Sequence, residues 1–110
     1  MIDIFQYTNY RIYLKECYEY LKENNSAFSY RYFSAKCGYK SPNFLKLVID
    51  GKRNLSKSSV EKFIVFFKLK KSEAQYFSLL VDFNQAKSSK EKTKFAGEVM
   101  KHSTFKRLFP

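Results

Sequence analysis

Residues 28–56 read FSYRYFSAKCGYKSPNFLKLVIDGKRNLS, two short segments of helical periodicity separated by a single glycine. Ser29 is placed to cap the first segment, in which Phe33 and Cys37 stand one turn apart. Gly38 supplies the left-handed conformation that stops this helix early. A second helix is expected over 42–49, with Ser41 as its cap and Pro42 in its first turn, where a missing N–H costs nothing. Phe44, Leu47 and Val48 make its expected buried face. Asp50-Gly51 repeats the glycine stop, and Lys52, Arg53 and Asn54 follow before Ser56 caps another helix. Two short helices joined by a glycine-containing turn form a helix-turn-helix, here over about residues 29–50, and such a unit needs its second helix held proud of the body.

The flanking sequence supplies that body. Tyr10, Tyr13, Leu14, Cys17, Tyr18 and Leu21 follow the i, i+3, i+4, i+7 pattern, which predicts a helix over about 9–23 ended by Asn24-Asn25-Ser26. Its ridge of Glu16, Glu19 and Glu23 reads as solvated carboxylates, not as a metal or acid/base site. Val60, Phe63, Ile64 and Phe67 form the stripe of a helix over about 57–68. Ser72 and Gln75 have capping-box spacing and open a helix over about 73–86. Ser88 and Glu91 repeat that spacing for a last one over about 89–101, with Phe95, Ala96, Val99 and Met100 behind them. No period-2 run bounded by turn residues occurs, so the expected fold is all-α, five to six helices in a single domain over 1–110.

With 110 residues and 45% hydrophobic side chains, the chain can bury one core, and its 12 Phe and 9 Tyr supply much of it. Cys17 and Cys37 fall on the apolar stripes of two different helices, which favours buried reduced thiols over a disulfide or a metal pair. No segment approaches the ~20 apolar residues that cross a bilayer. The opening MIDIFQY has an acid where a secretory signal is basic, so the reading is a cytoplasmic, nucleoid-associated protein. His102 stands alone, and there is no phosphate-binding glycine loop, nucleophile elbow or CxxC pair. No enzyme activity, cofactor, metal or small-molecule ligand is expected.

Charge is arranged by region. The 21 Lys and Arg against 10 Asp and Glu leave a net +11, a field that attracts polyanions. Residues 1–27 are slightly acidic, whereas from Arg31 to Lys71 the cations are opposed only by Asp50 and Glu61. Residues 72–86 then carry no Lys or Arg at all. This distribution favours a dedicated anion-facing surface over general solubilisation.

Phe33-Ser34-Ala35-Lys36-Cys37-Gly38-Tyr39-Lys40-Ser41 resembles the bulky-small-x-x-x-Gly-x-x-Ser core of the phage-repressor helix-turn-helix family (lambda repressor, Cro, XRE). Ser34 takes the small position where the two helices cross, and Gly51-Lys52-Arg53-Asn54-Leu55-Ser56 resembles that family's Gly-Lys-Arg-x-Leu-Ser loop. The similarity extends over nearly the whole chain to an uncharacterised bacterial family, abundant in Bdellovibrio and Fibrobacter, through NYRIYL, SPNFLKLVIDGKRNLS, EKF and EAQYFSLLVDFNQAK. Members of that family are usually longer at the C-terminal end, which implies a short paralogue or one domain of a larger protein.

The resemblance implies a lambda-repressor-like DNA-binding fold, a partnership with double-stranded DNA, and a bacterial transcriptional regulator that places helix 42–49 in the major groove. Position by position it nominates Lys40, Ser41, Asn43 and Lys46 for base edges, and Lys52, Arg53 and Asn54 as a clamp on the phosphate backbone. Arg31, Lys36 and Lys57 add to the field, and Tyr39 can offer a hydroxyl to phosphate. Ser41, as cap, would aim backbone N–H groups at a phosphate. Leu45 and Pro42 depart from the family's pattern, standing where the phage repressors place polar base-contacting residues. Either Leu45 touches a thymine methyl, or the helix packs against something other than DNA. Tyr30, Tyr32 and Tyr39 are expected along the rim of the domain, not as an RNA-stacking platform.

Helix 72–86 reads as apolar on two faces, Phe77, Leu80 and Val81 on one and Tyr76, Leu79 and Phe83 on the other. The second face is expected to meet the last helix or a second copy, giving a possible homodimer through Tyr76, Leu79 and Phe83. The competing reading is a protein-interaction module that docks a partner there. The tail HSTFKRLFP adds Phe105, Leu108 and Phe109 as a further apolar segment.

Overall fold

The computed structural model describes residues 2–103, and the tail residues Phe105, Leu108 and Phe109 lie outside them. A 3-10 turn, Ile4–Gln6, precedes six α-helices: α1 Tyr10–Asn24, α2 Tyr30–Cys37, α3 Phe44–Ile49, α4 Lys57–Phe66, α5 Lys71–Asn84 and α6 Ser89–His102. Among the described residues there is no strand, and no helix is long and apolar enough to cross a membrane.

Short polar side chains set most of the starts. Asn9 Oδ1 accepts from the N–H of Arg11 (2.9 Å), Ser29 Oγ from Tyr32 (3.0 Å), Ser56 Oγ from Ser59 (3.2 Å) and Ser88 Oγ from Glu91 (3.1 Å). Each satisfies an N–H that has no partner inside its helix. Gly38 ends α2 at φ 79°, and Gly51 takes φ 78° after α3. Both are left-handed conformations that a Cβ disfavours.

Several boundaries differ from the sequence reading, among them the end of α5, at Asn84 where 86 was expected. α3 begins at Phe44, because Ser41 Oγ accepts from Asn43 N–H at 3.3 Å and closes a turn around Pro42 ahead of the helix. α4 stops at Phe66, where Lys68 adopts φ 54° and the Leu69 N–H turns back to Ile64 O. No glycine advertised that stop. α5 begins at Lys71, with Lys70 and not Ser72 at the cap position, because the Glu73 carboxylate reaches back to the Lys70 N–H at 2.8 Å. A carboxylate is the stronger acceptor and favours the positive end of the helix, so it displaces the expected Ser72 and Gln75 box.

The core is aromatic. Phe63 of α4 is fully buried, with ring centroids of Phe33 at 5.0 Å, Phe44 at 6.2 Å and Phe77 at 6.4 Å, so one ring joins α2, α3 and α5. Burying a side chain of that size contributes about 1.5–3 kcal/mol. α5 packs against α1, α4, the 3-10 turn and, most extensively, α6, while α2 and α3 pack on each other and on α4 and α1 respectively. Cys17 is buried and Cys37 half-buried, both free thiols.

Candidate nucleic-acid interface

α3 is amphipathic in a register one step from the expected one. Phe44, Leu45 and Val48 are buried, whereas Leu47 and Ile49 are only half-buried. At about 100° per residue, these three lie within one side of the helix, and Asn43, Lys46 and Asp50 lie opposite. Leu45 therefore faces the core at 0% exposure and is withdrawn from any groove contact, and Leu47 is not the anchor the pattern suggested. At the first residue of the helix, the Phe44 ring stacks on Tyr39 at 3.9 Å and 12°.

Lys40, Asn43, Lys46, Lys52, Arg53 and Asn54 are exposed, and Ser41 is half-buried. Lys46 Nζ donates to Asp50 Oδ2 at 3.0 Å, one turn on. That hydrogen bond and charge raise the Lys46 ammonium above the ordinary lysine range, and they offset part of the positive potential on the outer face. Nearby, Tyr30 stacks on Tyr18 at 3.9 Å and 3°, and burial raises its phenol above the ordinary range.

The loop after α3 is tied to the end of that helix, while the Arg53 side chain reaches its first residue, with the guanidinium carbon 5.6 Å from the centroid of the Phe44 ring. Lys52 and Arg53 both donate their N–H to Leu47 O, at 2.8 and 3.2 Å. Asn54 is less available than its sequence position suggests, because its Oδ1 already accepts from Arg11 Nη2 at 2.8 Å. Tyr39 is likewise committed: its hydroxyl donates to Ser59 Oγ at 2.8 Å, its ring stacks on Phe44, and the Lys62 ammonium lies 4.9 Å from its centroid. It is a packing residue, not the free phosphate donor expected. Arg31, Lys36 and Lys57 are exposed, Lys36 lying 5.7 Å from the centroid of Tyr32.

The proposed partner face of α5 is largely used within the chain. Tyr76 is 2% exposed; its hydroxyl donates to Tyr7 O at 2.7 Å and its ring meets Phe5 at 5.0 Å. It cannot contact a second molecule without leaving the core. Leu79 and Phe83 are half-buried against that core, and Lys92 of α6 reaches over the Phe83 ring at 5.9 Å. α5 is apolar on two faces because this chain covers both. His102 is exposed, and no cluster of metal-binding side chains occurs among the described residues.

Two residues that the sequence reading passed over organise this region. Arg11 donates through Nη1 to Val48 O (2.6 Å) and Arg53 O (2.9 Å), besides its bond to Asn54. Gln85 brackets Leu55, accepting its N–H at 2.8 Å and donating to its carbonyl at 3.1 Å, and also accepts the Tyr10 hydroxyl at 2.6 Å. The available signals were weak: a lone arginine at the edge of the α1 stripe, and an amide pair, Asn84-Gln85, closing an apolar helix. Comparison with protein-family models, with curated proteins and with solved structures gives no match to this chain.

Proposed function

We propose that the protein binds double-stranded DNA, with α2, its glycine turn and α3 acting as a helix-turn-helix of the phage-repressor kind and α3 entering the major groove. The observation that supports this reading is that Asn43 and Lys46 on the outer side of α3, and Lys52 and Arg53 in the loop that follows it, are all exposed, with Arg53 packed over the Phe44 ring. Asn43 suits a bidentate pairing with adenine, and Lys46 a guanine edge or a phosphate. Lys40, Lys52, Arg53 and Lys57 supply the sequence-independent phosphate contacts that dominate affinity. Ser41 and Asn54 serve this surface by shaping it. A role as a bacterial transcriptional regulator follows if the contacts at Asn43 and Lys46 discriminate between sequences.

The test is selection of bound duplexes from a random pool, beside an Asn43→Ala/Lys46→Ala control, together with a salt titration on random duplex. The expected result is a motif enriched by the native protein alone. Four phosphate contacts predict an affinity loss of about 10²-fold between about 50 and 200 mM salt. A palindromic motif would mean that two copies bind together. Absence of enrichment together with salt-insensitive retention would overturn the reading.

A further inference from the structure

Arg11 lies 37 residues from Val48 and 43 from Asn54 in the chain, yet it bonds to both ends of the loop that follows α3. All three bonds come from one planar guanidinium: Nη1 to Val48 O at 2.6 Å and to Arg53 O at 2.9 Å, and Nη2 to Asn54 Oδ1 at 2.8 Å. Val48 O belongs to the last turn of α3, where a cation is favoured, and it also accepts the Gly51 N–H at 3.1 Å. Arg53 O and Asn54 belong to the exposed basic loop. A rigid fork of donors can tie two backbone carbonyls and an amide at once, which a lysine ammonium on a flexible stem cannot reproduce. The Arg11 side chain also lies against Tyr10, its guanidinium carbon 4.8 Å from a fully buried ring, so the fork itself is held in place.

We propose that Arg11 is the positioning residue of the Lys52-Arg53 loop: it locks the loop's backbone to the end of α3, so that the two cations meet phosphates in a fixed register with that helix. The consequence for binding rests on the duplex-binding reading above, whereas the locking itself does not. Arg11 commits three of its five N–H donors to protein oxygens, and the proposal assigns it no phosphate of its own. Its contribution to affinity passes through Lys52 and Arg53.

Two measurements test this on the full chain. The first is native-state amide exchange at Lys52 and Arg53, whose N–H groups bond to Leu47 O. In Arg11→Met their exchange should rise by about tenfold or more, while Leu80 in the core of α5 changes far less. Equal acceleration at all these amides would make Arg11 a general stabiliser, and no acceleration would make the lock fictitious; either overturns the proposal. The second is affinity for random duplex. Arg11→Met should weaken it about three- to tenfold in the native background but less than about twofold in a Lys52→Ala/Arg53→Ala background, because coupled residues are not additive. An equal loss in both backgrounds overturns the assignment. Should Arg11→Met fail to fold, Arg11→Lys keeps the charge, loses the fork and is held to the same exchange ratios. If the native protein retains no duplex, the DNA reading fails, and the exchange ratios still decide whether Arg11 locks the loop.

Discussion

Replacing Gln85 by Ala removes three hydrogen bonds with one substitution. Its Oε1 accepts from the Leu55 N–H at 2.8 Å and the Tyr10 hydroxyl at 2.6 Å, and its Nε2 donates to Leu55 O at 3.1 Å. Leu55 is 5% exposed and Tyr10 fully buried, so the groups left behind gain little from water. At about 1 kcal/mol net per bond, plus the penalty of unpaired buried partners, the expected loss is about 3–5 kcal/mol. That is a large share of the roughly 5–15 kcal/mol that holds a domain of this size. At about 4 °C per kcal/mol, it lowers the midpoint of thermal unfolding by about 12–20 °C. Urea and thermal unfolding followed by circular dichroism measure both quantities. Gln85→Met separates bonding from packing, since it keeps the length of the side chain and deletes the same three bonds; its loss should lie within about 1 kcal/mol of the alanine variant. A loss below about 1 kcal/mol for both variants would refute the argument, because three part-buried bonds to buried partners cannot vanish so cheaply.

Ser34 is 2% exposed, and its hydroxyl has no hydrogen-bond partner among the described residues, so Ser34→Ala should raise stability by about 0.5–1 kcal/mol. A measured loss in urea unfolding would show that the hydroxyl is bonded after all. Asp50→Asn releases Lys46 from its ion pair and removes a negative charge from the outer face of α3. Affinity for random duplex should tighten, with the log-log salt slope steeper by about one, and an unchanged slope would take Lys46 away from the phosphates. Burial pushes the Cys17 thiol up from 9.0 to about 11 and the Tyr10 phenol from 10.0 to about 12. The folded state thus keeps protons that the unfolded chain gives up, and its stability is full below pH 9 and falls as pH rises through the 9–12 window. Urea midpoints at about pH 8 and about pH 10.5 should show that fall, with a smaller one in Cys17→Ala; parallel curves for the two proteins would remove Cys17 as a cause.

What could be read from the chain alone was local. The all-α class follows from side-chain periodicity, because a helix repeats its face every few residues whatever it packs against. The caps at Ser29, Ser56 and Ser88 are legible for the same reason: each bond spans three residues and needs no neighbour from elsewhere. Gly38 and Gly51 mark turns because their backbone conformation is intrinsic to a residue without Cβ. Even here local reasoning erred where two local signals competed, as when Glu73 displaced the box at Ser72 and Gln75.

The surface of α3 and the fate of α5 were decided by tertiary structure. A short helix offers two apolar choices, and it is tertiary packing, including the stacking of Phe44 on Tyr39, that puts Leu45 and not Leu47 in the core. Tyr76 looks like an interface residue until the 3-10 turn, far away in sequence, folds over it. Arg11 and Gln85 carry only a weak local signature, since their partners lie 30 to 75 residues away along the chain. Sequence periodicity says which residues leave water. It cannot say which of them meet, because that depends on how several amphipathic faces fill one core at once.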